Sequence, residues 1–433
     1  MTIKNNMPRS SITRRTALKG AAAAGIGVIG MPALLRSAWA QSRTIKLGFV
    51  SPETGPLAGF GSADGFIVDG VRKVIGDGID IGGTKYPVEI LVRDSQSNPS
   101  RAAEVASALI TNDKVDIMLA SSTGDTTNPV ADQSEVNGVP CITTDTPWES
   151  HFFGRGGDPA KGFEFTYHFF WGGQQIVDTF TGLWKTIDTN KRIATLWSND
   201  SDGVALGNDE KGLPPAYKKA GYELVNLGLF TPLSSDFSAQ IAKLKDTKAD
   251  LLTGVFLPPD FATFWAQCGQ QGFNPKAATI MKALLFPSAV EALGDRGAGL
   301  SSEVWWSPHH PFKSGLTGQS SKDMCDEFTK VTGKQWVQPL GFKHALLEVA
   351  LDVLKRSKSV DPAGIMESIK ATDYQSIVGP VSWKNGPVKN VSTTPLVGGQ
   401  WVKGKQFPYD LEIVDNSAYP GISTTAKFQP IAY

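Results

Sequence analysis

The sequence predicts an α/β fold of two lobes, each built on a parallel β-sheet with helices on both faces. Three observations support this prediction. In the first half of the chain, short apolar segments with strand character alternate with segments whose apolar residues recur at helical spacing, a pattern typical of parallel sheets. The same alternation restarts after a glycine-rich break at residues 154–162. The chain of 433 residues is also too long for one ordinary domain, because a domain usually takes ~100–200 residues.

The elements of the first lobe follow one another closely. They are a strand at 44–50, a loop at 51–61, a helix at 66–75, a strand at 88–92, a helix at 102–109 and a strand at 116–120. Sheets of this kind carry their binding sites beyond the carboxyl ends of the strands. The loops after these strands are therefore the first candidates for a site.

The second lobe repeats the pattern and then gives way to a helical section. Its predicted strands lie at 191–197, 223–230, 250–256, 279–285 and 303–306, with helical stripes at 237–244 and 261–271. The longest later helix includes 345–354 and ends before Asp361 and Pro362. From Gln375 onward, the glycine, proline, threonine and valine content predicts short antiparallel strands.

The first forty residues have the composition of a secretory signal peptide. A basic start precedes a weakly apolar stretch at 21–35, which is shorter than the ~20 residues of a membrane span. An A-x-A cleavage site at Ala38–Ala40 follows, directly before Gln41. We therefore expect residues 1–40 to be removed after Ala40 and the mature protein to be soluble in the periplasm.

Within this leader, Thr13–Lys19 resembles the twin-arginine export motif. The segment keeps Arg14 and Arg15 but carries Ala17 where the motif usually has phenylalanine. It predicts twin-arginine export, with ordinary secretion as the alternative.

The charge balance and the motif content exclude several classes of function. Lys plus Arg and Asp plus Glu both number 42, so no overall field attracts nucleic acid or an anionic membrane, and we expect no nucleic-acid partner. The sequence contains no G-x-S-x-G elbow, no Walker loop and no pair of histidines at i, i+4. We therefore expect neither an enzyme, nor a metal site, nor a cofactor. Cys141, Cys268 and Cys325 allow one disulfide, which the sequence cannot pair.

The most informative loop is Ser121–Pro129, which follows a strand and opens a helix. Asn128 is a good N-cap and Pro129 suits the first helical position, so we expect the helix to begin there. Free backbone N–H groups beside several hydroxyls suit an anion such as a carboxylate. The alternative is that the hydroxyls only cap and turn the chain.

Other polar loops also follow predicted strands. Asp145 could accept hydrogen bonds from a ligand, or it could merely start the turn before Pro147. In the second lobe, the segments 198–203, 257–260 and 281–283 would face these loops across a cleft between the lobes; the two facing sets of loops are called the jaws of the cleft. The aromatic residues Phe169–Trp171 and Trp305–Trp306 have two interpretations, ligand stacking or packing where the chain crosses between lobes, and we favour packing for most of them.

Several segments together resemble the type I periplasmic binding proteins of the leucine-isoleucine-valine family over the whole mature chain. The matching pieces are Lys46–Val50, Thr54–Ala58 with Gly61, Arg93–Gln96 with Pro99 and Ala102, Ser121–Pro129, Gly138–Pro140 and Gly379–Trp383. The resemblance implies two Rossmann-like lobes with parallel sheets, joined by a three-strand hinge. It assigns residues 43–168 plus 310–378 to the N-terminal lobe and 169–309 plus 379–433 to the C-terminal lobe.

The resemblance also implies where a ligand is held. The loop residues that correspond to the family's carboxylate site are Ser122, Thr123, Gly124, Asp125 and, at its edge, Thr126. The next loop maps onto Asp145 and Thr146, and the covering residue of the second lobe maps onto Asp202 and onto Phe256 or Leu257. Lys282 stands where amino-acid binders place a carboxylate for the ligand's amino group.

Family membership further implies partners and a role. We expect a monomeric substrate-binding protein that closes on a small polar metabolite and contacts the permease subunits of an ABC transporter. The runner-up is a periplasmic ligand sensor of the same fold. Because of Lys282, we expect a carboxylate- or amide-bearing ligand with acceptors at both ends rather than a simple zwitterion, unless Lys282 pairs with a nearby acid.

Overall fold

Two parallel-rich β-sheets, each flanked by helices, form the protein and confirm the predicted fold class. The computed structural model describes residues 43–433, so the predicted signal peptide, the twin-arginine segment and the cleavage site after Ala40 lie outside the described residues. The first sheet contains β1 (Ile45–Ser51), β4 (Val88–Asp94), β5 (Ile117–Ser121), β6 (Cys141–Thr144), β7 (Thr166–Phe169) and β15 (Val391–Ser392), in the order β15-β7-β6-β5-β1-β4. Its paired strands all run parallel.

The second sheet has seven strands, with the last two antiparallel. It contains β8 (Arg192–Ser198), β9 (Glu223–Phe230), β10 (Leu251–Val255), β11 (Ala277–Met281), β12 (Ser301–Val304), β16 (Val397–Lys403) and β17 (Tyr409–Asp415), in the order β17-β16-β12-β11-β10-β8-β9. The hairpins β2 (Ile79–Ile81) with β3 (Thr84–Tyr86) and β13 (Asp373–Ser376) with β14 (Gly379–Ser382) stand apart. The antiparallel pairs in the tail agree with the sequence prediction.

The helices cover the faces of these sheets. They are α1 (Ala58–Gly61), α2 (Asp64–Ile75), α3 (Pro99–Ala108), α4 (Gly124–Asn137), α5 (Trp148–Phe152), α6 (Gly173–Lys185), α7 (Ser201–Leu206), α8 (Leu213–Lys219), α9 (Ser238–Thr247), α10 (Pro258–Gln271), α11 (Pro287–Glu291), α12 (Ser321–Thr332), α13 (Pro339–Arg356) and α14 (Pro362–Lys370). Helix α13 packs against β5, β6 and α2 in the first lobe. Fifteen of its 18 residues are buried, Lys343 and Glu348 among them.

The chain crosses between the sheets three times. It leaves the first sheet after Phe169, returns after Val304 and leaves again after Ser392. The last crossing corrects the predicted range 379–433 for the second lobe, because Val391 and Ser392 pair with β7 of the first sheet. The lobe boundaries as a whole stay a prediction.

Helix α4 begins earlier than the sequence predicted. Its first residue is Gly124, and Pro129 lies inside the helix, whereas we expected Asn128 to be the N-cap. Thr123 is extended, and its carbonyl accepts hydrogen bonds from the N–H groups of Thr126 and Thr127, which closes the first turn. The free N–H groups of this helix therefore lie immediately after β5.

The three cysteines, at positions 141, 268 and 325, are buried free thiols. The disulfide that the sequence allowed is therefore absent from residues 43–433.

Candidate ligand-binding site

A small cavity lies between the loops that follow the strands of the two sheets. Its lining residues are Phe60, Thr123, Asp145, Pro147, Phe170, Trp171, Asp202, Leu206, Val255, Met281, Lys282, Leu285, Glu303 and Trp305. The space open to the centre of a water molecule is about 30 Å³, above the ~10–15 Å³ that one water needs. Of the predicted site residues, four line this cavity: Thr123, Asp145, Asp202 and Lys282.

Strand ends bring these four side chains together. Thr123 and Asp145 follow the adjacent strands β5 and β6, in which Ser121 pairs with Thr144. Asp202 follows β8, and Lys282 follows β11. This is the carboxyl edge of both sheets, where parallel α/β sheets carry their sites.

Asp145 and Lys282 both have an unusual backbone conformation. Their φ angles are 67° and 69°, in the left-handed region that side chains other than glycine rarely adopt. Such residues persist where the surrounding structure holds them, often at ligand sites. One comes from each jaw of the cavity.

Gly124 allows the two jaws to approach each other closely. A Cβ atom added to Gly124 would lie 2.4 Å from Oγ of Ser201 and 3.4 Å from Oδ1 of Asp202. Both of those residues belong to the second jaw, because they lie in α7 beyond β8. Glycine at the start of α4 is therefore required by the contact across the cleft.

Direct hydrogen bonds also cross the cleft. The hydroxyl of Thr146 donates to Oδ1 of Asp202 over 3.2 Å. The backbone N–H of Ser201 donates to Oδ1 of Asp125 over 3.2 Å. The side chains of Thr146 and Asp125, both of them predicted site residues, therefore hydrogen-bond the two jaws to each other.

Lys282 lies inside the second jaw with its charge already balanced. Its Nζ is 2.9 Å from Oδ2 of Asp200 and 3.0 Å from Oδ2 of Asp202; Lys282 and Asp202 are buried, and Asp200 is partly buried. Burial lowers the pKa of Lys282, but Asp200, Asp202 and Asp125 outweigh it and raise the pKa above its ordinary value. Because Lys282 is paired with these two acids, its presence no longer speaks against an amino-acid ligand.

Two carboxyl groups of the cavity have strongly raised pKa values. Burial raises the pKa of Asp145 to about 7, although Lys343 and the hydroxyl of Ser121 lower it. Burial raises the pKa of Glu303 to about 7 as well, against hydrogen bonds from Ser302 and from the N–H of Lys282. Oδ1 of Asp145 has no hydrogen-bond partner within residues 43–433.

Aromatic side chains line the rest of the cavity. The ring centroids of Phe170 and Trp305 are 4.9 Å apart, and those of Phe170 and Trp171 are 4.8 Å apart. Phe60 stacks 6.4 Å from Trp305. The indole N–H groups of Trp171 and Trp305 are buried without an acceptor among the described residues.

Sequence reasoning missed part of this lining. It treated the aromatic residues mostly as packing at the crossings, and Phe170, Trp171 and Trp305 lie beside two crossings yet face the cavity. It did not single out Glu303, which lies near the carboxyl end of β12. A carboxylate at that edge is the signal that could have found it.

The placement of Phe256 in the site is corrected. Its ring packs against Phe230, Phe261 and Phe264, at centroid distances of 5.0, 5.5 and 5.1 Å, in the core of the second lobe. The preceding residue, Val255, lines the cavity, because successive residues of an extended chain point to opposite faces.

Ser122 and Thr126 lie at the start of α4, outside the cavity lining. Their hydroxyls and that of Thr123 are buried and have no hydrogen-bond partner within the described chain. They therefore neither cap α4 nor close the turn through their side chains.

Residues 44–406 of the sequence match a family model described as periplasmic binding protein. The chain belongs to the type I periplasmic binding proteins of the leucine/isoleucine/valine family. It is thus a substrate-binding protein of a fold that is generally non-enzymatic, and its family works outside the cytoplasmic membrane.

Individual members of the family are similar over most of their length. The Leu/Ile/Val-binding protein homolog 3 of Brucella melitensis is 23% identical over 372 residues, which cover 84% of this chain and 90% of that protein. The leucine-binding protein LivK of Thermotoga maritima superposes with a TM-score of 0.69 at 20% identity, covering 86% of this chain and 99% of that one.

A solute-binding protein of an ABC transporter from Rhodopseudomonas palustris, in complex with 3,4-dihydroxybenzoic acid, gives a TM-score of 0.66 at 20% identity. It covers 87% of this chain and 99% of its own. At these identities the solved structures support the fold alone.

Across residues 43–433, no helix combines the length and the apolar composition that a membrane span requires.

Proposed function

We propose that this protein is the extracytoplasmic substrate-binding component of an ABC importer. It binds a small polar, amino-acid-like metabolite with a carboxylate or amide group in the cavity between the lobes and delivers it to the permease subunits. We further propose periplasmic export through the twin-arginine route, with cleavage after Ala40, and a monomeric mature protein.

The unpartnered donors of the cavity carry this proposal. The hydroxyl of Thr123 and the indole N–H groups of Trp171 and Trp305 are buried, belong to cavity-lining residues and have no partner in the described part of the chain. A buried polar group without a partner costs ~1–3 kcal/mol. A ligand carboxylate or amide oxygen would satisfy these donors, and the start of α4 at Gly124 adds backbone N–H groups.

The named ligands of two relatives agree with an acceptor group on the ligand. Leucine, named in the Thermotoga protein, and 3,4-dihydroxybenzoic acid, bound in the Rhodopseudomonas structure, both contain a carboxyl group. We propose that the acceptor of this protein's ligand is held by Thr123 and Gly124, with Ser122 and Thr126 behind them. Asp125, Thr146 and Asp202 hold the lobes closed around it.

A two-part binding experiment tests this function. Thermal unfolding of residues 41–433 is followed against amino acids, amides, ureas and aromatic acids, and each compound that raises Tm is then examined by small-angle scattering. We expect at least one compound to raise Tm and to reduce the radius of gyration, because hinge closure buries the ligand. A compound that raises Tm without any compaction would contradict binding between the lobes.

A further inference from the structure

A groove separate from the cavity opens beside the crossing that follows Val304. Its walls come from the segment at His309, from helix α12, from the loop before α13 at Gln335 and Trp336, and from the loop between β16 and β17 at Phe407. We call it the hinge groove. The space open to the centre of a water molecule is about 540 Å³, and the hinge groove shares no lining residue with the cavity.

Both lobes contribute walls to the hinge groove. Helix α12 packs on α2 of the first lobe, where the ring centroids of Phe328 and Phe66 are 5.3 Å apart. Strands β16 and β17 belong to the second sheet. Trp336 packs against both of the larger apolar clusters of the protein. A molecule bound in the hinge groove would therefore contact both lobes.

Gln335 has an acceptor that lacks a donor. Its Nε2 donates to the carbonyl of Tyr409 over 2.9 Å, and because a carbonyl only accepts, this bond fixes which end of the amide is the nitrogen. The other end, Oε1, is buried and has no hydrogen-bond partner within residues 43–433. The side chain is only 7% exposed, and buried acceptors normally receive a hydrogen bond. Since Gln335 lines the hinge groove, a bound molecule with an N–H or O–H group can supply the missing donor.

The rest of the lining combines aromatic rings with balanced charges. Trp336 and Phe407 line the hinge groove, and both are partly exposed. Two lysines and two aspartates also line it: Lys322, Lys330, Asp326 and Asp410. Lys322 is already paired with Asp326. With His309 neutral, the described lining therefore has no net charge, which favours an uncharged ligand.

We propose that the hinge groove binds a neutral hydroxylated ring, as in a mono- or disaccharide, with one hydroxyl donating to Oε1 of Gln335 and the ring packed on Trp336 and Phe407. The C–H face of a sugar ring is apolar and suits the face of an aromatic ring. Each hydroxyl donates one hydrogen bond and can accept others, so a sugar matches a lining that offers both donors and acceptors. This second site is separate from the cavity, so the inference goes beyond the proposed function.

A matched set of small molecules tests the ligand class. Saturation-transfer NMR of residues 41–433 compares D-glucose, N-acetyl-D-glucosamine and cellobiose with gluconate, which has the hydroxyls of glucose but an open chain and a negative charge. We expect at least one sugar to bind, and gluconate to bind at least roughly tenfold more weakly. If none of the three sugars binds, or if gluconate binds equally well, the proposal is wrong.

Two variants test the assigned residues. Gln335→Met removes the acceptor, and Phe407→Ala removes a ring face while keeping the bond between Gln335 and Tyr409. Each should weaken the sugar by roughly tenfold, as expected for one hydrogen bond or one aromatic contact. Phe153→Ala is the matched control for Phe407→Ala, because Phe153 is a surface phenylalanine outside the hinge groove. Wild-type affinity in both groove variants would overturn the assignment.

The inference and the proposed function fail separately. Thr123→Ala alters the cavity alone, so it should leave sugar binding in the hinge groove unchanged. If Thr123→Ala weakens the sugar and the groove variants do not, the sugar occupies the cavity: the solute-binding function stands and the groove inference is wrong. If the sugar responds only to the groove variants and no compound compacts the protein, the groove inference stands and the proposed function is wrong.

Discussion

The hydroxyl of Thr146 donates a hydrogen bond of 3.2 Å to Oδ1 of Asp202 across the cleft between the two lobes. The same carboxylate binds Nζ of Lys282 through its other oxygen, over 3.0 Å. Asp202 therefore connects the loop after β6 with the loop after β11, and a change at any of these three residues acts on closure, on stability or on both.

Thr146→Val should favour the open form while keeping the shape of the side chain. The variant loses one hydrogen bond to a charged group, worth ~1.5–3 kcal/mol, and Asp202 keeps its pairing with Lys282. We expect a larger mean radius of gyration and weaker ligand binding, measured by scattering and calorimetry. Thr144→Val is the control, because Thr144 donates to the carbonyl of Phe169 on the neighbouring strand of its own sheet. Equal effects of both variants on closure would contradict the role of Thr146.

Gly124→Ala should hinder closure without unfolding the lobes. The new Cβ would lie 2.4 Å from Oγ of Ser201, which is closer than a real contact allows. We expect weaker ligand binding with an unchanged unfolding midpoint in the absence of ligand. Gly70→Ala is the matched helical control, since a Cβ there meets nothing within 4 Å. Unchanged affinity in Gly124→Ala would show that the two jaws do not meet at this point.

Lys282→Met should destabilise the protein rather than remove a ligand contact alone. It leaves the buried carboxylate of Asp202 and the partly buried carboxylate of Asp200 without their cation, a loss of ~3–5 kcal/mol for a broken buried pair. Adding Asp200→Asn and Asp202→Asn should restore much of the stability in denaturant unfolding. The exposed pair of Lys322 and Asp326 provides the control, where Lys322→Met should leave stability unchanged. A stable Lys282→Met single variant would contradict the pairing.

The stability of Glu303→Gln relative to the unmodified protein should depend on pH. The folded-state pKa of Glu303 is about 7 against an ordinary value of 4.5, because burial disfavours its charge. The folded state then holds the proton more tightly than the unfolded state, so this group's stabilising contribution is complete below about pH 4.5 and is lost as the pH rises through 7. Glutamine loses nothing in that window. Denaturant unfolding at pH 5 and pH 8 should show that the free energy of unfolding of the variant, relative to that of the unmodified protein, is higher at pH 8 than at pH 5. The same difference in unfolding free energy at both pH values would refute the raised pKa.

The order of elements was predictable because strand and helix periodicities differ. The segment 223–230 was predicted as a strand with the bounds that β9 has. The start of α4 was not, because Asn128 and Pro129 suit a helix start in isolation, whereas the first turn actually closes on the carbonyl of Thr123. The local preference of Asn128 and Pro129 for a helix start was therefore overridden by backbone hydrogen bonds to Thr123, which the sequence does not reveal.

The candidate site was predictable only where it follows a strand in an obvious loop. Thr123, Asp145, Asp202 and Lys282 were found in this way, and all four line the cavity. Trp305 was predicted to pack where the chain crosses between lobes, and its ring does pack against Phe170 and Phe342. Its additional place in the cavity lining was not predictable, because a crossing has no periodicity that tells which face a side chain takes. The pairing of Lys282 with two acids joins residues about 80 positions apart, a distance over which sequence pattern carries no information.

Binding of the ligand in the cavity between the lobes can be measured by isothermal titration calorimetry of matched proteins. The compound that stabilises the unmodified protein most is titrated into that protein and into a Thr123→Ala, Trp305→Phe double variant, which removes two unpartnered donors of the cavity. We expect 1:1 binding to the unmodified protein. The folded variant should bind the compound at least roughly 10-fold more weakly, because losing the donors costs ~1–3 kcal/mol of binding free energy. Unchanged affinity in the variant would contradict binding of the ligand in this cavity.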